Sequence, residues 1–243
     1  MRSRSLFVAL IVGALAVGIA AGYVAGVRRD VRSAGQASLR PLRPAPHYVL
    51  TDQMGRSVNS TSFDGDVQIV TFLFPYCTTY CPLIAADLVQ FELVLKGTDL
   101  AKRVRIVAFN VDPAGSGPGQ MRAFMREYGW NPSDTRWEFL TGSPSAIRRV
   151  VTGGYMISFE RESLADEARE EAKERAAGEY VPQPEVQNEV AQRANVDYDI
   201  VHNDALEIVG PDGRIYKIFE DAEKVTSEQL LATIHAIPGV TAD

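Results

Sequence analysis

The sequence predicts a mixed α/β domain behind an apolar N-terminal segment, and three observations support this fold class. Strand-length apolar runs alternate with helical patterns between residues 67 and 151, which is typical of βαβ units with some parallel pairing. A β-hairpin pattern and a closing helix follow near the C-terminus. Residues 6–27 form an uncharged, almost wholly apolar run. We therefore expect an N-terminal anchor followed by one α/β domain.

The apolar run at residues 6–27 predicts a membrane-spanning helix. At 1.5 Å per residue it would extend roughly 33 Å, enough for a bilayer core of about 30 Å. The alternative is a cleaved signal peptide, whose apolar region usually has only ~7–15 residues. We favour an uncleaved anchor at residues 1–29 with the domain on the non-cytoplasmic side of the membrane. A basic, proline-rich linker is expected over residues 30–45.

The elements of the folded domain, residues 46–243, follow from apolar spacing and turn residues. Residues 48–58 indicate an N-terminal hairpin. Residues 67–74 form a continuous apolar run typical of a buried central strand, and the helical spacing after Pro82 ends at Gly97. The later elements repeat this alternation: a strand at 104–111, a helix at 120–128, a strand at 137–140 and a helix at 144–151.

The C-terminal part is predicted to close the domain. A Gly-Pro-Asp-Gly turn between the apolar runs at 205–209 and 215–219 predicts a hairpin, and the helix at 227–236 begins at a serine or threonine cap. Residues 160–195 break the pattern, because they begin with a highly charged stretch that has only a thin apolar stripe. We expect there an insertion on the domain surface, part helix and part mobile loop.

Composition and charge limit the classes of function. The chain has 243 residues, is 46% hydrophobic and 23% charged, and carries a formal net charge of −6. A nucleic-acid-binding domain normally shows a basic face, so this acidic balance predicts no nucleic-acid partner. The glycines at residues 115–119 lack the lysine and spacing of a nucleotide-binding loop and indicate a flexible connection.

The only two cysteines, Cys77 and Cys81, lie four positions apart where the first buried strand meets a helix. A helix N-terminus stabilises a thiolate, which is the form of cysteine that attacks disulfides and binds metals. Thiolate ligands favour copper(I) and zinc over hard ions. The spacing therefore allows disulfide exchange or the binding of one soft metal ion. The remaining alternative is a plain disulfide or two inert buried cysteines.

The three histidines differ in their sequence context. His202 comes directly before the C-terminal hairpin, in a loop that can face the strand end carrying the cysteines. His47 lies at the linker boundary and His235 on the last helix, and we expect both to be surface or core residues. His202 is thus the candidate third ligand beside the cysteine pair.

Three segments, in this order, resemble the Sco/SenC family of copper-binding assembly factors over about residues 46–236. The first is the strand, Cys-x-x-x-Cys-Pro motif and helix at residues 67–96. The second is the strand at 104–113, which ends in Asn-Val-Asp-Pro. The third is His202 followed by the Pro-Asp-Gly hairpin. The chain departs from the family pattern at Thr78, usually proline, and at Val201, usually aspartate.

The resemblance implies a thioredoxin-like fold with an N-terminal hairpin extension and an N-terminal transmembrane helix. It implies copper binding by Cys77, Cys81 and His202, with Asp112 in a supporting position. The implied role is maturation of the binuclear copper centre of cytochrome c oxidase, by delivering copper, by reducing the target's cysteines, or both. We expect a metallochaperone rather than an enzyme, with thiol–disulfide reductase activity as a possible addition. The expected partner is the copper-bearing oxidase subunit or another exported cuproprotein, reached from the membrane through the N-terminal helix.

Three alternatives to this function remain. A thiol–disulfide oxidoreductase would use Cys77 as the attacking thiolate and Cys81 to resolve the mixed disulfide, reducing cysteines of an exported partner without carrying copper. A peroxidase-type reductant is disfavoured because no arginine lies within the motif. A domain that only contacts an oxidase subunit is the third alternative, because fold does not fix function.

Overall fold

The computed structural model describes residues 38–240. The predicted anchor at residues 1–29 and the first half of the predicted linker, residues 30–37, lie outside the described residues. Among residues 38–240, no helix is long and apolar enough to cross a lipid bilayer.

Strands and helices alternate along most of the domain, as the sequence predicts. The strands are β1 (Arg43–Pro44), β2 (Val49–Thr51), β3 (Ser57–Asn59), β4 (Val67–Leu73), β5 (Val104–Asn110), β6 (Trp137–Leu140), β7 (Phe159–Ser163), β8 (Tyr198–His202), β9 (Leu206–Val209) and β10 (Arg214–Phe219). The α-helices are α1 (Tyr80–Leu95), α2 (Leu100–Arg103), α3 (Pro118–Glu127), α4 (Pro144–Val150), α5 (Leu164–Ala177), α6 (Glu189–Ala194) and α7 (Ser227–His235).

A six-stranded sheet with the order β1-β10-β9-β4-β5-β6 forms the centre of the domain. Strands β4, β5 and β6 are parallel, whereas β9 runs antiparallel to β4 and β10 antiparallel to β9. All seven residues of β4 are buried, which explains its continuous apolar run. The predicted mixed α/β core with a closing hairpin is confirmed.

This topology brings His202 and the cysteines to the same edge of the sheet. The cysteine loop follows the C-terminal end of β4. Because β9 is antiparallel to β4, with Leu206 opposite Thr71, the start of β9 lies at that same edge. His202 comes four residues before Leu206, so the chain delivers it next to the cysteine loop.

Two small antiparallel sheets flank the main one. Strands β2 and β3 form the predicted N-terminal hairpin, and Thr51 bridges to Thr141 after β6. Strands β7 and β8 pair in a second hairpin in which Phe159 lies opposite His202. The charged stretch from residue 160 therefore begins as a strand, and its helix starts only at Leu164. Residues 160–163 form a strand despite their helical charge pattern, because they pair with β8.

The end of the linker, which the sequence predicts to be an extended tether, instead pairs with the main sheet. Arg43 and Pro44 form β1 at the edge of the main sheet, where a proline is tolerated because one side of the strand is unpaired. The Arg43 guanidinium donates to the carbonyl oxygens of Gly154 and Tyr155 and to the carboxylate of Glu207. These bonds explain why the domain begins slightly before residue 46.

Contacts with α7 and with Trp130 hold helix α1 in place. Helix α1 packs against α7, and the indole Nε1 of Trp130 donates to the carbonyl of Ala85 in α1 at 2.9 Å. Helix α7 starts at the predicted kind of cap, with the Thr226 hydroxyl accepting from Gln229 N–H. These contacts fix the position of α1 and of Cys81 in its first turn.

Candidate metal centre

The two cysteines lie on either side of the junction between loop and helix. Cys77 is in the loop after β4, and Cys81 is in the first turn of α1. Both are free thiols, with only 4% and 0% of their surfaces exposed. The Oγ1 atom of Thr79 lies 3.4 Å from the Cys77 sulfur. This threonine contact could not be predicted from the sequence, since the direction of a loop residue's side chain depends on the fold.

The surroundings push the pKa values of the two thiols in opposite directions. Burial by itself raises the pKa of Cys77, but hydrogen bonds from Cys81 and from the side chain and backbone of Thr79 outweigh it and lower the pKa. Burial raises the pKa of Cys81, and the hydrogen bond to Cys77 and the negative charge there raise it further. Cys77 is therefore the more acidic thiol of the pair and Cys81 the less acidic one.

His202, the last residue of β8, lies against Cys81. Its Nε2 atom is 3.9 Å from the Cys81 sulfur across 121 residues of sequence. Its Nδ1 atom is 3.0 Å from the carbonyl oxygen of Asn203. Since a carbonyl only accepts, we assign the proton to Nδ1, which leaves the lone pair of Nε2 directed at the sulfur. The imidazole also stands edge-on to Phe74, with ring centroids 6.3 Å apart.

Asp112 fastens the hairpin that carries His202. Its carboxylate is 2% exposed and accepts hydrogen bonds from the Tyr198 hydroxyl at 2.7 Å and from Arg161 at 3.0 Å. Arg161 lies in β7 and Tyr198 in β8, so one buried carboxylate ties both strands to the loop after β5. The contacts of Asp112 with the hairpin support a positioning role for it.

Comparison with known proteins identifies the family. The model of the family described as SCO1/SenC matches residues 37–238. The chain belongs to the SCO1/SenC family. It is 26% identical over 188 residues to the SCO1 protein homolog of Bacillus subtilis, covering 77% of this chain and 79% of that protein.

Solved structures of SCO1/SenC proteins share the fold. BsSco, a member of the Sco family of cytochrome c oxidase assembly proteins in which a disulfide switch was identified, is 23% identical with a TM-score of 0.57, covering 83% of this chain and 98% of BsSco. Bradyrhizobium japonicum ScoI, solved with copper bound, is 22% identical with a TM-score of 0.55, covering 79% and 97%. The predicted thioredoxin-like Sco fold is thus confirmed.

The residues that this SCO1/SenC chain brings together suit a soft metal ion, although they are not yet at bonding distance. Among residues 38–240, no group of three or more His, Cys, Asp or Glu side chains is arranged as a metal site. Bonds of ~2.3 Å to sulfur and ~2.0 Å to nitrogen place two ligands about 3.5–3.8 Å apart. The Cys81–His202 separation of 3.9 Å is close to this value, so these two side chains already have about the spacing of two ligands of one ion.

Asp204 is a neighbour of the site that the sequence reasoning missed. Its Oδ1 atom lies 3.9 Å from Nδ1 of His202. Burial raises the pKa of Asp204, while the nearby imidazole opposes that rise. In this chain Val201 precedes His202, and the carboxylate of Asp204 stands two residues after it. Its place two residues after His202 is the sequence feature that could have indicated a carboxylate beside the imidazole.

The other two histidines lie elsewhere. Nδ1 of His47 is 3.5 Å from the hydroxyl of Ser60 beside the N-terminal hairpin. His235 is the last residue of α7 and is half-buried. Their described surroundings agree with the expectation that they are surface or core residues.

Proposed function

We propose that this SCO1/SenC protein is a copper metallochaperone whose ligands are Cys77, Cys81 and His202. The observation that carries the proposal is the 3.9 Å approach of His202 Nε2 to the Cys81 sulfur, because it brings together residues far apart in sequence with the chemistry a soft metal needs. Thiolates select copper(I), and a neutral imidazole also suits copper(II). Copper in ScoI of B. japonicum supports this choice of metal.

The cargo is proposed to serve the binuclear copper centre of cytochrome c oxidase. The description of BsSco as a cytochrome c oxidase assembly protein supports this destination. The partner would be the copper-bearing oxidase subunit or another exported cuproprotein. The apolar run at residues 6–27 would anchor the protein as a membrane helix, with the α/β domain on the non-cytoplasmic side.

Copper binding by the reduced, full-length protein in mild detergent tests the proposal. The wild type is titrated with copper(I) against a competing chelator, beside His202→Ala and the control His235→Ala. We expect one copper per chain for wild type and control, and an affinity lower by roughly tenfold or more for His202→Ala. Failure of the wild type to bind copper, or equal affinities for all three proteins, would overturn the ligand assignment.

A second candidate function is favoured by the unequal thiols. The lowered pKa of Cys77 and the raised pKa of Cys81 suit an attacking and a resolving cysteine. The Cys77 thiolate would attack a partner disulfide, forming a mixed disulfide and releasing the other partner sulfur as a thiolate. Deprotonated Cys81 would then attack Cys77 and release the reduced partner.

The two functions make different demands on His202. Thiol exchange needs no imidazole, so reduction of an exported partner that survives His202→Ala would favour the oxidoreductase. Cys81→Ser should hold the mixed disulfide, because the resolving sulfur is missing, and mass spectrometry of the trapped adduct identifies the partner.

A further inference from the structure

A short segment of the insertion lies directly on the cysteine loop. We call residues 186–190 the strap. Its central residue, Asn188, donates from Nδ2 to the carbonyl oxygen of Pro75 at 2.9 Å and to that of Cys77 at 2.8 Å. Asn188 is 111 residues beyond Cys77 in the sequence, so these bonds are tertiary contacts made by the insertion to the loop that carries Cys77.

The Asn188 side chain is buried, and both of its polar atoms are hydrogen-bonded. It is 1% exposed, its two amide hydrogens serve the two loop carbonyls, and its Oδ1 accepts from Ala191 N–H at 2.9 Å to cap α6. A fully satisfied buried polar group fixes the geometry of its partners. The strap adds a third bond to the loop, from Val186 N–H to the carbonyl of Thr78 at 2.7 Å.

The strap is held from its other side by α3 and the residue that follows it. The Glu127 carboxylate accepts from the N–H groups of Glu189 and Val190, at 2.6 and 3.3 Å. The Tyr128 hydroxyl donates to the carbonyl of Gln187 at 2.9 Å. The strap is therefore a braced element that connects the cysteine loop to α3. The expected mobile loop is fixed at this point by tertiary hydrogen bonds.

We propose that Asn188 is a positioning residue for the Cys77–Cys81 pair and that the strap holds the loop in its dithiol form. This inference deepens the proposed function, on which it rests for the working role of the pair. The bonds from Asn188 exist in a structure in which both thiols are free. Forming the disulfide shortens the separation of the two sulfurs from hydrogen-bond contact to about 2.05 Å, a movement that the loop and the first turn of α1 must accommodate. A loop pinned at the carbonyls on both sides of Cys77 resists that movement.

Removing the amide therefore destabilises the dithiol relative to the disulfide. In a glutathione buffer, the disulfide takes up two electrons and two protons while two glutathione thiols form one glutathione disulfide. Without the Asn188 bonds, the equilibrium constant for this reduction should fall about tenfold, which moves the potential by ~30 mV to more negative values. The reduced loop should also open more often, so that Cys77 reacts faster with a small alkylating reagent.

The experiment uses the full-length protein in mild detergent, without copper. Asn188→Ser and Asn188→Asp both keep an oxygen to cap α6 but lose the donating amide. Gln187→Ser is the matched control, because the Gln187 side chain is exposed on the same strap. The glutathione equilibrium gives the potential of each variant, iodoacetamide at fixed pH gives the thiol reactivity, and thermal unfolding gives the stability.

The expected result is a more negative potential and several-fold faster alkylation for both Asn188 variants, with wild-type values for Gln187→Ser. Unchanged potentials for both Asn188 variants would overturn the proposal, as would equal shifts in Gln187→Ser. Unfolding of both Asn188 variants would also overturn it, since Asn188 would then serve global stability. All three readouts are free of metal, so failure of copper binding leaves them interpretable.

Discussion

The hydroxyl of Tyr198 donates a 2.7 Å hydrogen bond to the buried carboxylate of Asp112. Tyr198 begins the strand that ends in His202, and Asp112 follows the central strand β5. The guanidinium of Arg161 completes the joint by binding the other carboxylate oxygen and lying 3.6 Å above the Tyr198 ring. This contact sets the direction of the β7–β8 hairpin relative to the main sheet. It therefore also sets how closely His202 approaches Cys81.

Tyr198→Phe should loosen this joint without touching a proposed ligand. Loss of one hydrogen bond to a buried carboxylate is expected to lower the free energy of unfolding by about 1–3 kcal/mol. Copper affinity should fall less than in His202→Ala, because the imidazole remains but is held less firmly. Denaturant unfolding and chelator competition measure the two effects. Tyr180→Phe is the control, since that ring lies against Arg175 outside the joint, and equal losses in both variants would contradict the assigned role.

The pH dependence of alkylation should separate the two cysteines. The lowered pKa of Cys77 means that its reactivity reaches a plateau below the pH at which an ordinary thiol, with a pKa of about 8.5, does so. Cys81 should titrate above that pH because its pKa is raised. Mass spectrometry of the modified peptides follows each site.

Cys81→Ala tests whether the hydrogen bond from Cys81 lowers the pKa of Cys77. It removes the hydrogen bond that lowers the pKa of Cys77, so the Cys77 midpoint should move to higher pH. Midpoints are compared rather than rates, since burial slows both thiols. An unmoved midpoint would show that Cys81 does not stabilise the Cys77 thiolate.

The central strands and the cysteine motif could be predicted from the sequence because their signals are local. Strand β4 is buried throughout, so its apolar run alone defines it. Strand β7 could not be recognised, because its charged residues form a strand only by pairing with β8, which follows the insertion. The buried role of Asn188 was hidden for the same reason. Its partners are two backbone carbonyls more than a hundred residues away. Every residue has a backbone carbonyl, so the sequence does not indicate which of them accept from Asn188.

Glu207 should make stability depend on pH. It is fully buried in β9 beside Arg43, and burial raises its pKa to about 7 while Arg43 partly opposes the rise. In the unfolded chain a glutamate titrates near 4.3. Between about pH 4.5 and 7 the native state thus binds more protons than the unfolded state, and stability falls as the pH rises.

Glu207→Gln isolates this contribution, because the amide oxygen can still accept from Arg43. From about pH 4.5 to 7, the unfolding free energy of the variant should rise relative to that of the wild type. Above that range the difference between the two should stay constant. Urea unfolding at a series of pH values measures it. A difference that is independent of pH would mean that Glu207 titrates alike in both states.

Asp204 is expected to strengthen copper binding through His202. Its carboxylate lies 3.9 Å from Nδ1, on the side of the ring opposite the nitrogen that would bind the metal. A negative charge there favours the build-up of positive charge on an imidazole that donates its lone pair to a cation, as carboxylates beside metal-binding histidines do. Asp204→Asn keeps the shape and removes the charge, so copper(II) affinity should fall by roughly threefold to tenfold, less than the effect of removing a directly bonded carboxylate.

Glu160→Gln is the matched control for this charge. Glu160 lies on the same hairpin, opposite Val201, with its side chain exposed to solvent. Water screens that charge, so the affinity of the control should equal that of the wild type. If Glu160→Gln and Asp204→Asn weaken copper binding equally, the effect comes from the net charge of the hairpin and not from the contact between Asp204 and His202. Repeating the titration at high salt distinguishes the two causes, since a partly buried contact is screened less than a distant surface charge.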